Sequence, residues 1–350
     1  MTALNLTLTS VSNLPSPSGS YTFSVTQAQI VRQAMIDIGA LEPQESPTAQ
    51  EYSDCSFKLN MMVKQWMGNT DFSKGLKVWT RKRADLFLGA ATYAYALGAT
   101  GDNWVASTTG LTYPQAFGAV QLAGGAAQGA TVLTLPTVSQ ANVGDYVGIQ
   151  VGSDLQWTTI STVNALTSQI TLAAALTGPA SAGAYVYNYT VKAQRPLAIL
   201  TCVLRDSYAN DTPMNFMTTE RYESLPTKTA PTNIADPTSI LYESQWVNTA
   251  QNGILYLDVA GAQDVTKHLH CVYLAPTQDF VNPGDSPDYP QQWYRPLVLG
   301  HARDIAGMFD CEWTKTMEAN FQESLAIAQQ ADPAITDVFF EPNSDNPYGP

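Results

Sequence analysis

Thr26-Gln-Ala-Gln-Ile-Val-Arg-Gln-Ala-Met-Ile-Asp-Ile-Gly-Ala40 sets the first structural reading of this chain. Ile30, Val31, Ala34, Met35 and Ile38 recur at helical spacing, Thr26 is a plausible cap, and Gly39 supplies a stop. Downstream, Ser46-Pro47 predicts a second start, with proline at the first helical position where a missing N–H costs nothing. Tyr52, Cys55, Leu59, Met62, Val63 and Trp66 form the following stripe, which ends at Gly68. Together the two segments predict a helical hairpin. The period then changes, and Leu76 to Leu88 reads as extended, with Gly89 opening a turn toward Tyr93-Ala-Tyr95.

Arg83 is followed by no basic residue until Lys192. Inside that gap short alternating runs recur: Thr131–Leu135, Tyr146–Val151, Trp157–Val163, Gln169–Leu172 and Ala184–Tyr189. Gly124-Gly125, Gly144-Asp145 and Gly178-Pro179 punctuate them. Period-two alternation between such breaks predicts a small antiparallel barrel or sandwich. Beyond Lys192 the chain reads as strand to Leu204 and as irregular from Thr212 to Pro237. Gly253–Asp258 and His268–Leu274 then alternate as a strand pair would. From Pro290 the helical period returns, through Trp293, Leu297, Ile305 and Phe309 and then Met317, Phe321 and Leu325, with a break near Asp310 to Glu312.

The 350 residues allow two domains of ordinary size. Thirty acids against seventeen bases give a net charge of −13, which argues against a general grip on nucleic acid or anionic lipid. The 13% charged fraction leaves a surface solvated largely by uncharged polar residues. No charged and apolar leader opens the chain, and no apolar run nears the roughly 18 residues of a bilayer span, so a cytoplasm-like compartment without membrane contact is expected. Cys55, Cys202, Cys271 and Cys311 lie far apart, predicting reduced, buried thiols.

Motifs that carry chemistry are sparse. His268-x-His270-Cys271 places three metal-capable side chains together without a fourth nearby, and His301 lies on a helix beside Arg303 and Asp304; both are read as structural. Glu42, Glu45 and Glu51 could be offered as hydrolytic carboxylates, but an acidic chain always supplies such candidates, and Glu51 fits an exposed helix face. Neither a catalytic nor a cofactor or metal site is expected, nor enzymatic activity. Lys74, Lys77, Arg81, Lys82 and Arg83 concentrate five of the seventeen bases after the hairpin, either as a solvated strand edge that charge keeps from pairing or as a local acceptor surface for an acidic partner. The stretch from Asp332 holds Asp337, Glu341, Asp345 and Tyr348 and no base, and reads as a tail that orders against a partner.

Thr26–Leu41, Glu45-Ser-Pro-Thr-Ala-Gln-Glu51 and Leu59-Asn-Met-Met-Val-Lys-Gln-Trp66 resemble, in this order, the head-to-tail adaptor family of short-tailed bacteriophages. Leu86–Tyr93 with Leu97-Gly98, Asp211–Met217 with Glu220-Arg-Tyr222, and Pro290-Gln-Gln-Trp-Tyr294 continue the resemblance over residues 24–108 and 192–331. It implies an α+β fold: a helical-bundle adaptor core, with N-terminal hairpin, C-terminal helices and a few strands, carrying an inserted small all-β barrel or sandwich. The expected organisation is an extended arm over 1–24, the core over 25–109 and 192–331, the insert over 110–191 and an extended tail over 332–350. The resemblance also implies a virion protein at the head–tail junction, assembled in the host cytoplasm as a ring of about twelve copies. Its partners would be the portal protein, the tail hub or nozzle protein and itself, with DNA passing through the channel without sequence-specific binding. A different reading makes the insert a host-surface or glycan-binding module, with Trp157, Tyr185, Tyr187 and Tyr189 stacking on sugars.

Overall fold

A computed structural model describes residues 20, 22–67, 81–106, 117–226, 235–244, 251–260 and 264–330. Among these are five helices: α1 (Gln27–Asp37), α2 (Ala49–Met67), α3 (Thr219–Glu223), α4 (Tyr294–Ala306) and α5 (Lys315–Gln330). The strands are β1 (Arg81–Phe87), β2 (Ala94–Leu97), β3 (Trp104–Ala106), β4 (Gly118–Gln121), β5 (Val132–Thr134), β6 (Tyr146–Val151), β7 (Asp154–Asn164) and β8 (Gln169–Leu172). There follow β9 (Tyr185–Tyr189), β10 (Ala198–Arg205), β11 (Asp211–Pro213), β12 (Asn215–Phe216), β13 (Ser239–Glu243), β14 (Gly253–Leu257) and β15 (His268–Leu274). Two compact units result, one drawn from residues up to Trp66 and from Gln278 onward, the other from residues between Met67 and Thr277.

The first unit is helical. Thr26 caps α1 in a reciprocal box: its hydroxyl accepts from the Gln29 N–H, and the Gln29 side chain accepts from the Thr26 N–H at 2.9 Å. Gly39, at φ +75°, takes the left-handed turn after α1. The second helix starts later than Ser46-Pro47 suggests. Thr48 and Glu51 form the same reciprocal box, with the Thr48 N–H donating to Glu51 at 2.8 Å, whereas Ser46 has only Ala49 three residues on. Glu51 is thereby a capping residue, its carboxyl lowered in pKa by the Thr48 hydrogen bonds. Ile30, Val31, Ala34, Met35, Cys55, Leu59, Met62, Val63, Leu297, Ala302, Ile305 and Phe321 are buried in this unit. Asp310, at φ +52°, lies in the break between α4 and α5.

The second unit corrects the expected fold class. The chain is β-rich rather than a helical bundle with a small β insert, because the supposed few strands build two sheets of their own. One has the order β11-β10-β15-β1-β3 and the other β12-β13-β14-β2. Their strands come from both sides of the 110–191 stretch, so β1 pairs with β15 across nearly the whole intervening chain. Ala84, Leu86, Leu97, Trp104, Ile240, Leu255, Leu257, Leu269 and Tyr273 join in one core fed by both sheets. The suggested pairing of 253–258 with 268–274 is also corrected: β14 pairs with β13 and β2, while β15 pairs with β10 and β1. Local alternation identified the strands but could not choose their partners.

A third, wholly antiparallel sheet has the order β4-β9-β6-β7-β8-β5. A bulge between Ile160 and Thr162 bends β7 from its pairing with β6 into its pairing with β8. Leu133, Val147, Ile149, Ile160, Ile170 and Val186 close its core. Gly148 admits the Trp157 indole, since a Cβ there would meet the ring at 2.8 Å.

Candidate functional site

The most concentrated group of ionisable side chains crosses one face of the five-stranded sheet. Register explains it: Asp85 on β1 opposes His270 on β15, His268 on β15 opposes Arg205 on β10, and Arg205 opposes Asp211 on β11. Positions two apart on a strand share a face, so both histidines point the same way and Cys271 points the other. The Asp85 carboxylate is 2.7 Å from His270 Nδ1 and 3.6 Å from His268 Nε2. Arg205 grips Asp211 with two contacts, Nε to Oδ1 at 2.6 Å and Nη2 to Oδ2 at 2.8 Å. That fork holds the Asp211 carboxyl below its ordinary pKa.

Aromatic rings lie beside the cluster. Phe117 meets the His268 ring edge-on at 5.2 Å between centroids, and Phe87 lies 6.0 Å from it. His268 Nε2 has no hydrogen-bond partner among the described residues. Burial pushes its pKa down; Asp85 opposes that shift, Arg205 and His270 reinforce it, and Asp211 opposes it. Asp85, Arg205, His268 and His270 are all buried. An acid–histidine contact of this kind suits general-base chemistry only with a reachable substrate, and these rings occupy the space beside it. No group of three or more His, Cys, Asp or Glu among the described residues could hold a metal ion. Its contacts link β1 to β15 and β10 to β11.

The glycan candidates are engaged in packing. Tyr187 and Tyr189 are buried; their hydroxyls donate to the Val265 carbonyl at 3.1 Å and to Asn103 Oδ1 at 2.7 Å. Tyr189 stacks on Tyr146, and Trp157 packs on both Phe87 and Tyr189. Tyr185 lies parallel to Tyr187. Lys192, the first base after the gap, spans the same region, donating to the Gly101 carbonyl at 2.6 Å with its ammonium over the Tyr146 ring. These side chains fasten the third sheet to β1 of the five-stranded sheet and to the segments that lead into β3 and β15.

Of the expected interface residues, Arg81, Lys82 and Arg83 are exposed on β1, opposite Leu274, Tyr273 and Val272. Lys74, Lys77, Asp337, Glu341, Asp345 and Tyr348 lie outside the described residues. The helical unit adds two surfaces that the sequence reading missed. One groove, of about 720 Å³, is lined by Phe57, Lys58, Met61, Met62 and Lys64; Phe57 and Met61 are largely exposed. Another, of about 610 Å³, is lined by Phe23, Tyr294, Val298, Leu299 and Met317. An apolar pair at i and i+4 on the outer side of a helix was the available signal for the first.

In the same unit, Asn60 fixes the backbone of Phe280 from both sides, donating to its carbonyl at 2.9 Å and accepting from its N–H at 3.0 Å. Trp66 packs between Trp293 and Phe321 and over Gly300, where a Cβ would meet its ring at 2.8 Å. His301, one residue on, is fully buried, and neither of its ring nitrogens has a hydrogen-bond partner among the described residues. Burial and then the Lys58 charge push its pKa down to about 4. No helix among the described residues is long and apolar enough to cross a membrane.

No family model matches the chain, and no curated protein matches it. Among solved structures it is similar to VP17, a capsid protein of bacteriophage P23-77, at 13% identity over 60% of this chain and 74% of that one. The TM-score is 0.11. A likeness at that level assigns neither fold nor role.

Proposed function

We propose that this chain is a structural virion protein, a head-to-tail adaptor whose role is contact with other subunits. The observation that carries the reading is the fate of the residues behind the family resemblance. Leu59 is buried, Asn60 holds the Phe280 backbone, and Trp66 stacks between Trp293 and Phe321. The N-terminal signature and the Pro290–Tyr294 signature thus lie in one helical unit, which supports the reading. Supporting this, the outer side of α2 offers Phe57 and Met61, and the start of β1 offers three exposed bases on a chain of net charge −13.

In this reading copies of the chain form a ring between a portal protein and a tail hub or nozzle, and DNA passes through the opening. An acidic subunit can line such an opening without holding DNA tightly, since like charge makes few phosphate contacts. The test is sedimentation and electron microscopy of the purified chain mixed with the portal ring of its own particle. Ring-bound subunits in a fixed ratio are expected. A portal ring that sediments unchanged at every excess of the chain removes the proposal.

A further inference from the structure

Cys202 on β10 and Cys271 on β15 are directly opposed in the antiparallel register. Their backbone hydrogen bonds define the kind of pair they make. The Cys202 carbonyl accepts from the Met214 N–H at 3.1 Å, so the polar backbone groups of Cys202 turn away from β15. On the other side of β15, the Phe87 N–H donates to the Asn103 carbonyl, which turns the backbone of Phe87, and by alternation that of Asp85, away from β15. Ala84, opposite Cys271, therefore faces Cys271 with its own N–H and carbonyl. Both observations make Cys202 and Cys271 a non-hydrogen-bonded pair, the closer of the two antiparallel classes, with Cα atoms about 4.5 Å apart. A disulfide bridges Cα separations of roughly 4.4–6.8 Å. The two side chains enter the same core.

We propose that Cys202 and Cys271 form a redox site, two thiols that close into a cross-strand disulfide when a small-molecule disulfide reaches them. One cysteine sulfur attacks the sulfur–sulfur bond of the oxidant, giving a mixed disulfide and one released thiol. The second cysteine sulfur then attacks the protein-bound sulfur of that mixed disulfide and expels the second thiol. Two protons leave the cysteines and end on the two released thiols, so the protein is oxidised by two electrons and the oxidant reduced by two.

Burial controls when this happens. Both residues are buried, and burial raises the Cys271 pKa well above that of a free thiol, so the closed fold keeps the pair reduced. Access requires local opening. The three-residue edge strand β11 and the irregularity in β10 between Ile199 and Thr201 are the weak points beside the pair. Cys55 and Cys311 belong to the other unit and have no register partner of this kind.

The full chain, reduced and then incubated with excess glutathione disulfide at pH 8, is digested after alkylation and read by mass spectrometry. The incubation is repeated in urea below the unfolding transition to promote opening. A peptide joined through Cys202 and Cys271, two hydrogens lighter than its reduced parts, is expected, faster in urea, with Cys55 and Cys311 still alkylated. The closed loop runs from residue 202 to residue 271, about a third of the second unit, and the oxidised chain should melt roughly 5–10 °C higher. Cys202→Ser should lose both the cross-link and the rise, and comparison of oxidised with reduced wild-type chain keeps the test valid if that variant folds poorly. Glutathione adducts alone, links to Cys55 or Cys311, or full alkylation of both cysteines under both conditions would overturn the proposal.

Discussion

Asp85 and His270 are directly opposed on β1 and β15, and a carboxylate oxygen meets the imidazole Nδ1 at 2.7 Å in a buried setting. Because the two strands lie on opposite sides of the 110–191 stretch in the chain, this contact is a polar link that helps to name the correct partner strand. Removing the carboxylate leaves the buried His270 Nδ1 without that partner. Asp85→Ala should cost about 3 kcal/mol in urea unfolding followed by far-ultraviolet circular dichroism. Wild-type stability in that variant would show that the contact contributes nothing.

Two buried histidines give the chain a defined acid response. His301 has a folded pKa of about 4, and that of His268 is also depressed, while both return to about 6.5 on unfolding. As pH falls below about 6.5 the unfolded chain takes up these protons first, so stability drops, and the His301 contribution is exhausted near pH 4. The His301 loss is on the order of 3 kcal/mol over that interval. His301→Leu should flatten the curve of urea midpoint against pH between 6.5 and 4; an unchanged slope would refute the assignment.

Gly300 has no room for a methyl group beneath Trp66. Gly300→Ala, favourable by helix propensity alone, should instead destabilise the helical unit by about 1–3 kcal/mol as Trp66 and Phe321 are displaced. Near-ultraviolet dichroism should report the loss of tryptophan packing before far-ultraviolet signal changes.

Asn60→Ala removes both hydrogen bonds to the Phe280 backbone. A loss of about 2 kcal/mol is expected, with faster amide exchange at Phe280. Exchange at Phe280 equal to wild type would show that the segment is held by other contacts.

Reversing the charge of all three exposed bases, Arg81→Glu, Lys82→Glu and Arg83→Glu, should leave the dichroism spectrum intact and weaken binding to a portal ring at least tenfold at low salt. Added salt should shrink the difference between variant and wild type. Equal binding would remove these residues from the interface.

Local chemistry was legible in the sequence; pairing was not. The Thr26 cap, the α1 stripe and the alternation of Tyr146–Val151 and Gln169–Leu172 all correspond to elements, because each depends on residues within a few positions. β13 escaped notice because Ser239-Ile-Leu-Tyr-Glu243 is a short apolar run without alternation. The helical-bundle reading failed for a similar reason: β1, β2 and β3 look minor until β14 and β15 join them from far along the chain. The spacing of His268 and His270 puts them on one face of a strand, but Asp85, Arg205 and Asp211 become their neighbours only through register. The cysteines likewise read as isolated until β10 and β15 were aligned.

The pairing of β1 with β15 has a consequence for synthesis on the ribosome. Arg81 is translated 187 residues before His268, which at roughly 5–20 residues per second leaves β1 waiting about ten to forty seconds for its mate. Meanwhile the strands from Gly118 to Tyr189 emerge together and have all their partners at hand. The nascent polypeptide thus matures from its middle outward, and a truncated product ending before residue 268 would carry an unpaired, aggregation-prone edge.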